Sequence, residues 1–314
     1  MPRPYCHTGP SVAPTIGILS SQRGWHVLAL EEALQRQGAI PCFFPITHLA
    51  AWIGGRAHVE VDGVRLEDCQ ALLVRTIPIG SLEQIIFRMD ALHRLEHIGV
   101  RVVNSPAAIE RTVDKYYTSF LLADAGIPTP RTLVTEDFEA ALAAFRELGG
   151  DVIVKPLFGS ESKGMVRVSD EDVAYRLFRT LELGRHIYYY YLQKYIPHGH
   201  EDIRAFVVGE RVVAAMRRRG NGWKTNFSQG AQVEPVVLND VQEELSLRAA
   251  RLVGTEYAGV DLLPAEDGRT YVLEVNSIPG WRGLRKTTPL NIADAIVAHV
   301  LHLVQSGVEW LSTD

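Results

Sequence analysis

Two stretches decide the fold of this chain: GVDLL at residues 259–263 and YVLEVN at residues 271–276. Each is a largely apolar run that carries one carboxylate, Asp261 in the first and Glu274 in the second. The intervening Asp267-Gly268 pair favours a two-residue hairpin turn. An antiparallel pair closed by that turn sets the two carboxylates directly opposite each other.

Two opposed carboxylates repel, and an unpaired charge among apolar neighbours is unfavourable, so the hairpin predicts a counter-charge. Asn276 lies two residues after Glu274, which places its side-chain oxygen on the same face. A magnesium or manganese ion bound to nucleotide phosphates would satisfy Asp261, Glu274 and Asn276 together, whereas a solvated face is the ordinary alternative. Pro264 would occupy a hydrogen-bonded position in the ideal register, so we expect a bulge or a longer loop.

The composition is typical of a globular protein with a sizeable core: 314 residues, 46% apolar and 22% charged. A net charge of -5 provides no field for nucleic acid or an anionic membrane. The three cysteines lack the spacing of a zinc site and do not suggest a disulfide framework. No stretch reaches the roughly 18 apolar residues of a membrane span. We therefore predict a cytoplasmic protein that acts on small molecules or proteins.

The first hundred residues alternate short apolar runs with helical patterns, which favours a small parallel α/β layer. An Asp62-Gly63 pair predicts an inserted hairpin. A helix then starts with Ser105 as N-cap and Pro106 at the first helical position, so we place a domain boundary near residue 105. The predicted strands span residues 15–19, 40–44, 71–74 and 100–103, and the first predicted helix spans 25–37.

Beyond residue 150 the pattern becomes antiparallel. Hairpin turns are predicted at Gly209-Glu210 and Asp267-Gly268, and Glu243 is placed for a capping box. The predicted strands at 151–155 and 165–168 flank a polar loop at 158–164, and helices are predicted at 136–148, 172–183, 240–253 and 292–304.

Lys155 ends an apolar strand and precedes the loop at 158–164, as expected of a phosphate-binding lysine below a glycine-containing loop. Glycine lets backbone N–H groups approach a phosphate closely. An ordinary hairpin loop explains the same pattern equally well. Lys115, on a predicted helix surface, is uninformative by itself.

Arg204 precedes the Gly209-Glu210 turn, shares a face with Asp202 and is predicted to pair with Ala215. A strand arginine beside small residues suits bidentate contact with phosphate or carboxylate, and a surface salt bridge with Asp202 is the alternative. The basic run at 217–219 has one nearby aromatic residue in an acidic chain, so it does not indicate nucleic-acid binding.

These residues, in this order, resemble the ATP-grasp superfamily and its RimK-like branch of alpha-L-glutamate ligases. That branch is related to tetrahydromethanopterin and other coenzyme glutamate ligases and to lysine-biosynthesis ligases. The resemblance runs from about residue 104 to 296 and is strongest in two blocks. They are 202–226, with DIR, VVG, VVAA and TN, and 258–288, with AGVD, EVN, PG and KTT.

The resemblance implies an α/β and α+β architecture, in which an N-terminal pre-ATP-grasp α/β domain (1–104) precedes an ATP-grasp domain (105–314). Within the latter, 105–192 would form the lid and central lobe and 193–314 the metal-binding lobe. By similarity, Arg204 and Lys155 would act on the transferred phosphate, and Asp261, Glu274 and Asn276 would hold Mg²⁺. The implied ATP contacts are Lys115, Lys155, Gln193, Lys194, Tyr195, Ile196, Asp202, Lys224, Thr225 and Asn226.

The implied reaction transfers the ATP γ-phosphate to a carboxylate and lets an amine displace the phosphate to form an amide. The expected amine is L-glutamate, and the acyl acceptor is a small molecule or a peptide C-terminus. Glutamate needs cations that ATP does not use. The candidates are Arg75, which follows a strand at its carboxyl end, Arg219, Arg285 and Lys286.

Alternatives remain open from the sequence. An amino-group-carrier ligase or another amino-acid ligase would share the skeleton, and a non-catalytic nucleotide-binding regulator would keep the fold. A Rossmann-type oxidoreductase is disfavoured because no glycine-rich fingerprint follows the first strand. The sequence leaves a homo-oligomer open.

Overall fold

The computed structural model describes residues 13–156, 164–183, 189–225 and 230–311, whose strands form four sheets. The strands are β1 (Thr15–Ser20), β2 (Ile40–Pro45), β3 (Leu49–Trp52), β4 (His58–Val61), β5 (Val64–Arg65), β6 (Ala71–Val74), β7 (Arg101–Val103), β8 (Thr132–Thr135), β9 (Val152–Lys155), β10 (Val166–Val168), β11 (Tyr190–Lys194), β12 (Glu201–Val208), β13 (Arg211–Arg219), β14 (Gln232–Pro235), β15 (Tyr257–Pro264) and β16 (Thr270–Asn276). The helices are α1 (Trp25–Arg36), α2 (Leu82–His97), α3 (Pro106–Val113), α4 (Lys115–Asp124), α5 (Phe138–Glu147), α6 (Glu171–Leu183), α7 (Asp240–Val253) and α8 (Ile292–Leu311).

The N-terminal sheet has the strand order β2-β1-β6-β7, and all its pairs are parallel. Its central strands are apolar because both faces are covered, and Ile16, Ile18 and residues 71–74 are fully buried. The predicted parallel layer is therefore confirmed. The strand order reverses between β1 and β6, so their carboxyl ends form a switch point of the kind at which α/β sheets bind ligands.

A small three-stranded sheet is inserted between β2 and β6. Its predicted hairpin turn is confirmed: Val61 pairs with Val64, and Asp62 (φ 51°) and Gly63 (φ 81°) both have positive φ, as a type I′ turn requires. The third strand, β3, pairs with β4 and was not predicted.

The second sheet has the order β10-β9-β11-β8, and α5 and α6 pack on it through Phe138, Phe145 and Phe178. Strand β11 continues to Lys194, which pairs with Val152, so this sheet extends two residues past the division placed at 192/193. The division of the chain into 1–104 and 105–314 stays a prediction.

The third sheet is antiparallel, with the order β14-β13-β12-β15-β16. One face packs against α4 and α7. The other face presents Phe206 and Val208, which share one core with Ile16 and Ile18 of the N-terminal sheet and with α8. The N-terminal sheet and the third sheet are therefore joined by a continuous apolar core.

Asn104 joins the N-terminal sheet to the third sheet through hydrogen bonds. Its side chain is fully buried and donates to the carbonyl oxygens of Tyr257 (2.8 Å) and Ser277 (2.6 Å). Its own oxygen accepts from the N–H of Glu256 (2.6 Å). Because a buried amide is stable only when its hydrogen bonds are made, these contacts determine where the segment after β16 leaves the sheet.

The β15–β16 hairpin keeps the predicted opposition of Asp261 and Glu274, but by a different route. The turn is a three-residue loop, since the N–H of Ala265 donates to the carbonyl of Arg269 (2.8 Å) and Gly268 has φ 81°. A register shift between Asp261 and Leu262 inserts one extra residue into β16. The longer loop and the bulge shift the pairing register by one residue each, in opposite directions. The expected irregularity near Pro264 is therefore confirmed, and the predicted two-residue turn is wrong.

The capping box of α7 is a second local correction. The helix has the predicted bounds, but its N-cap is Asn239 and the reciprocal partner is Gln242, one residue before Glu243. An amide side chain closes the box as well as a carboxylate does. Within the described residues, no helix is long and apolar enough to cross a membrane.

Candidate active site

The three metal-ligand candidates meet on the β15–β16 hairpin. Asp261 pairs with Glu274 and Gly259 with Asn276, so the Glu274 and Asn276 side chains share a face. Asn276 Nδ2 donates to Glu274 Oε1 (3.1 Å). That donation leaves the Asn276 amide oxygen without a partner among the described residues.

Asp261 is buried (4% exposed) and held by two arginines. Arg204 forms a bidentate pair with it, in which Nε contacts Oδ1 and Nη2 contacts Oδ2 at 2.8 Å. Arg218 Nη2 lies 3.1 Å from Oδ1. Burial raises the pKa of the Asp261 carboxyl, but Arg204 and Arg218 outweigh it and hold the pKa well below its usual range. Asp261 is therefore ionised at neutral pH.

Arg218 is the central site residue that sequence analysis missed. Its guanidinium is 4% exposed and forms a bidentate pair with Asp202, with Nε–Oδ1 at 2.6 Å and Nη2–Oδ2 at 2.7 Å. Thr225 Oγ1 adds a third hydrogen bond to Asp202 (2.5 Å). Alternation alone allows either Arg218, or Arg217 together with Arg219, to share a face with Asp202, and the observed register, with Asp202 opposite Arg218, selects Arg218.

Arg204 pairs with Met216 rather than with Ala215. A register shift between Phe206 and Val207 adds one residue to β13, which moves every later partner by one position. The face on which Arg204 lies is as predicted, because it shares that side with Asp202 and contacts Asp261.

Two lysines lie above the carboxylates. Lys155 Nζ donates to Gln193 Oε1 (2.6 Å) and lies 5.9 Å from the ring centroid of Tyr191. Burial lowers the pKa of Lys155 to about 8, although Glu274 acts in the opposite direction. Burial also lowers the pKa of Lys115, the first residue of α4, and again Glu274 opposes it.

One cleft is lined by most of the predicted site residues. Asn226 and residues 158–163 of the predicted loop lie outside the described residues, while Arg204 and Asn276 adjoin the cleft through Asp261 and Glu274. Predicted residues that line it are Lys115, Lys155, Gln193, Lys194, Tyr195, Ile196, Asp202, Lys224, Thr225, Asp261 and Glu274. Lining residues that sequence analysis missed are Pro130, Ile153, Met165, His198, Arg218, Trp223, Leu263 and Leu273.

The four substrate candidates lie elsewhere. Arg75 is buried and donates to the Tyr257 hydroxyl (3.2 Å) and the Pro279 carbonyl (2.9 Å), so it joins the N-terminal sheet to the segment after β16. Arg219 is about half exposed and contacts Glu201 (3.0 Å), because alternation turns it away from Arg218. Arg285 and the exposed Lys286 lie in a short 3₁₀ turn, and Arg285 lines a different cavity.

The donor set fits a hard divalent cation. Asp261 and Glu274 supply carboxylate oxygens, and Asn276 supplies an amide oxygen. These are the ligands that Mg²⁺ prefers when phosphates complete its shell. A carboxylate has about four lone-pair sites, so the three guanidinium contacts to Asp261 leave capacity for a cation.

A cleft between two antiparallel sheets, with opposed carboxylates on one sheet and lysines facing them, defines an ATP-grasp fold. The chain belongs to the RimK-like ATP-grasp family, whose domain model matches residues 112–300. The tetrahydromethanopterin:alpha-L-glutamate ligase of Methanosarcina acetivorans is 31% identical, over 92% of this chain and 99% of the relative. The ligase of the same name from Methanocaldococcus jannaschii is 40% identical, over 77% of this chain and 82% of the relative.

Solved structures agree with this assignment. The ATP-grasp ligase PsnB, solved with a minimal precursor, Mg and ADP, superposes with a TM-score of 0.72 at 25% identity, covering 92% of this chain and 98% of PsnB. The predicted family and fold class are confirmed.

Proposed function

We propose that this protein is an ATP- and magnesium-dependent carboxylate–amine ligase that adds L-glutamate to a carboxylate through an acyl phosphate. The observation that carries the proposal is the arrangement of Asp261, Glu274 and Asn276 around two arginines, below Lys115 and Lys155. The lysines and arginines can stabilise the charge of a transferred phosphoryl group, and the carboxylates can hold the metal that phosphoryl transfer uses.

Binding comes first. Lys115 and Lys155 contact the ATP phosphates, and Lys194 to Ile196 border the adenine. The N–H groups of Lys194 and Tyr195 already donate to Arg131 (2.8 Å) and Asp151 (3.0 Å). Among the described residues, the N–H of Ile196 has no acceptor, so it is the backbone donor available to adenine.

The acceptor carboxylate then attacks the γ-phosphorus, and ADP leaves. Asp261, Glu274 and Asn276 would hold Mg²⁺, which supplies positive charge that offsets the phosphate charge when bound. Arg204 steadies the transferred phosphoryl group, and Arg218 keeps Asp261 ionised and oriented. The glutamate amine next attacks the acyl carbon, inorganic phosphate leaves, and the amine loses a proton to solvent. Exclusion of water protects the acyl phosphate from hydrolysis.

The acceptor class follows from the relatives. Two of them are named for adding glutamate to tetrahydromethanopterin, so a reduced pterin carboxylate is the first acceptor to test, followed by peptide C-termini.

The test is ADP formation with Mg²⁺, L-glutamate and each acceptor. We expect ADP only when acceptor and amine are both present. Asp261→Asn and Glu274→Gln should each lower turnover at least about tenfold with an intact fold, because they remove metal-ligand charge. The exposed carboxylate Glu243 provides the matched control, Glu243→Gln, which should turn over normally. ADP formation independent of an added amine, or full activity in both hairpin variants, would disprove the proposal.

A further inference from the structure

A second cavity, of about 500 Å³, lies between α1 and the segment that follows the β15–β16 hairpin. It shares no lining residue with the nucleotide cleft. Its volume is in the range of small-molecule sites. Its lining residues are Trp25, Leu28, Ala29, Glu32, Trp281, Arg285, Thr288, Pro289, Leu290, Asn291 and Ile292.

The cavity is aromatic and cationic. The rings of Trp25 and Trp281 lie 6.0 Å apart between centroids, with planes inclined by 58°. Two guanidinium groups flank Trp25, with Cζ of Arg282 at 5.4 Å and Cζ of Arg285 at 5.7 Å from its centroid. Such a lining suits a planar group that carries negative charge.

The charge on these arginines is available to a ligand. Within the part of the chain that the structure describes, neither Arg282 nor Arg285 forms an ion pair. Glu32 contributes a carboxylate to the lining, but it faces Arg36 at 3.9 Å and its side chain is 71% exposed. Arg285 in the lining, with Arg282 beside Trp25, therefore supplies positive charge that can recognise a carboxylate or phosphate.

A short stretch of chain connects this cavity to Arg204. A Cβ added to Gly259 would lie 2.6 Å from Arg204 Nη1 and 3.0 Å from Cβ of Pro279, so Arg204 and Pro279 pack against the same point. Trp281 follows Pro279 by two residues, a span of at most about 7 Å. One wall of the cavity is thus the continuation of the segment that borders Arg204.

We propose that this cavity binds the distal part of the acyl acceptor, a planar ring that carries a carboxylate or phosphate, while the reacting carboxylate lies at Arg204. The inference rests on the proposed ligase function. The partly exposed ring of Trp25 contacts the planar group, and the buried ring of Trp281 packs against Trp25. Arg285, with Arg282, pairs with the charge of the ligand. The pocket therefore selects acceptors, whereas the nucleotide cleft serves every acceptor alike.

The test uses the full-length chain without nucleotide and N-benzoyl-L-glutamate as probe, followed by tryptophan fluorescence and by calorimetry. We expect saturable binding, weakened about tenfold or more in Arg285→Ala and in Trp25→Leu. L-Glutamate, which lacks the ring, and benzamide, which lacks the charge, should bind at least about tenfold more weakly than the probe. Arg269→Ala is the control, because that side chain is exposed on the β15–β16 hairpin loop. ATP affinity should be equal in all variants.

Absence of probe binding to the wild type, or equal binding in Arg285→Ala and Trp25→Leu, would overturn the inference without affecting the ligase proposal. Conversely, probe binding without ADP formation from any acceptor would overturn the ligase proposal, and with it the acceptor role. With an acceptor identified, the probe should compete with it and not with ATP. A non-competitive pattern would make the cavity a regulatory site and would refute the acceptor assignment.

Discussion

Arg218 is buried because of its position on β13, where side chains alternate between the two faces of the sheet. The neighbouring arginines of the run 217–219 are partly exposed and pair with Glu201 or Glu234, whereas Arg218 lies between two buried carboxylates. A basic triplet looks like a surface feature in the sequence. In the observed register of this strand, it is one interior residue between two exterior ones.

Replacing Arg218 by alanine should destabilise the fold by about 3–5 kcal/mol, because Asp202 and Asp261 would be buried without their shared counter-charge. Urea denaturation of the full chain measures the loss. Arg219→Ala is the matched control and should keep the wild-type midpoint, since that side chain is exposed. Equal midpoints for the two variants would show that the buried network contributes nothing to stability.

Lys155 should make ATP binding pH-dependent. Its pKa of about 8 lies below the ordinary lysine value of 10.5, and phosphate contact requires the charged form. The apparent Kd for ATP should therefore rise as the pH passes about 8, approaching ~tenfold per pH unit. The pH dependence of stability has the opposite sign. Burial disfavours the charged form of Lys155, so its titration raises the free energy of unfolding from about pH 8 to about pH 10.5.

Calorimetric titration of ATP across this pH range tests the assignment. The Lys155→Arg variant keeps its charge throughout and should show a weaker pH dependence than the wild type, because Lys115 is then the remaining lysine contact. A flat profile in the wild type would exclude Lys155 as a titrating phosphate contact.

At the scale of elements, two irregularities set the geometry of the site. The three-residue loop and the bulge of the β15–β16 hairpin change the register in opposite directions, so Asp261 still faces Glu274. On the β12–β13 hairpin a single bulge has no such partner, and Arg204 pairs one residue away from the position expected of a regular ladder. Bulges add local twist, which re-aims side chains at a site.

The cap of α7 gives an element-scale prediction. Asn239→Ala removes the acceptor for the Gln242 N–H (2.9 Å) and should cost about 1 kcal/mol of unfolding free energy. Glu243→Ala should leave stability unchanged, because the box is closed by Gln242. Urea midpoints of the two variants decide which residue pair caps the helix, and a larger loss for Glu243→Ala would contradict the observed box.

At the scale of the whole molecule, the N-terminal sheet and the third sheet share one core, and Arg75 adds a polar link to it. The Arg75 guanidinium is 4.8 Å from the Trp281 centroid and donates to Pro279 and Tyr257. Its hydrogen bonds thus hold the segment that follows β16.

Arg75→Ala should therefore lower the free energy of unfolding by about 1.5–3 kcal/mol, the range for hydrogen bonds to a charged group. Arg269→Ala should have no effect in the same denaturation series. If Arg75→Ala left stability unchanged and raised the KM for glutamate instead, Arg75 would be a substrate contact, as the sequence alone suggested.

The sequence by itself determined most strands, most helix bounds, and the hairpin that carries Asp261 and Glu274. Those features follow from short-range patterns: apolar period, turn residues and caps act over a few positions. The family resemblance added Lys115, Lys155 and the 193–196 segment, which the structure brings to one cleft. Their individual roles stay predictions.

Only the tertiary structure decided which cations face the carboxylates and which join the lobes. Arg218 rather than Arg219 enters the site, and Arg75 binds the Pro279 carbonyl rather than facing the cleft. The cavity between Trp25 and Trp281 joins residues more than two hundred positions apart, so no local pattern could predict it. Such contacts depend on bulge positions and on packing between sheets, which arise from the balance of the whole core rather than from neighbouring residues.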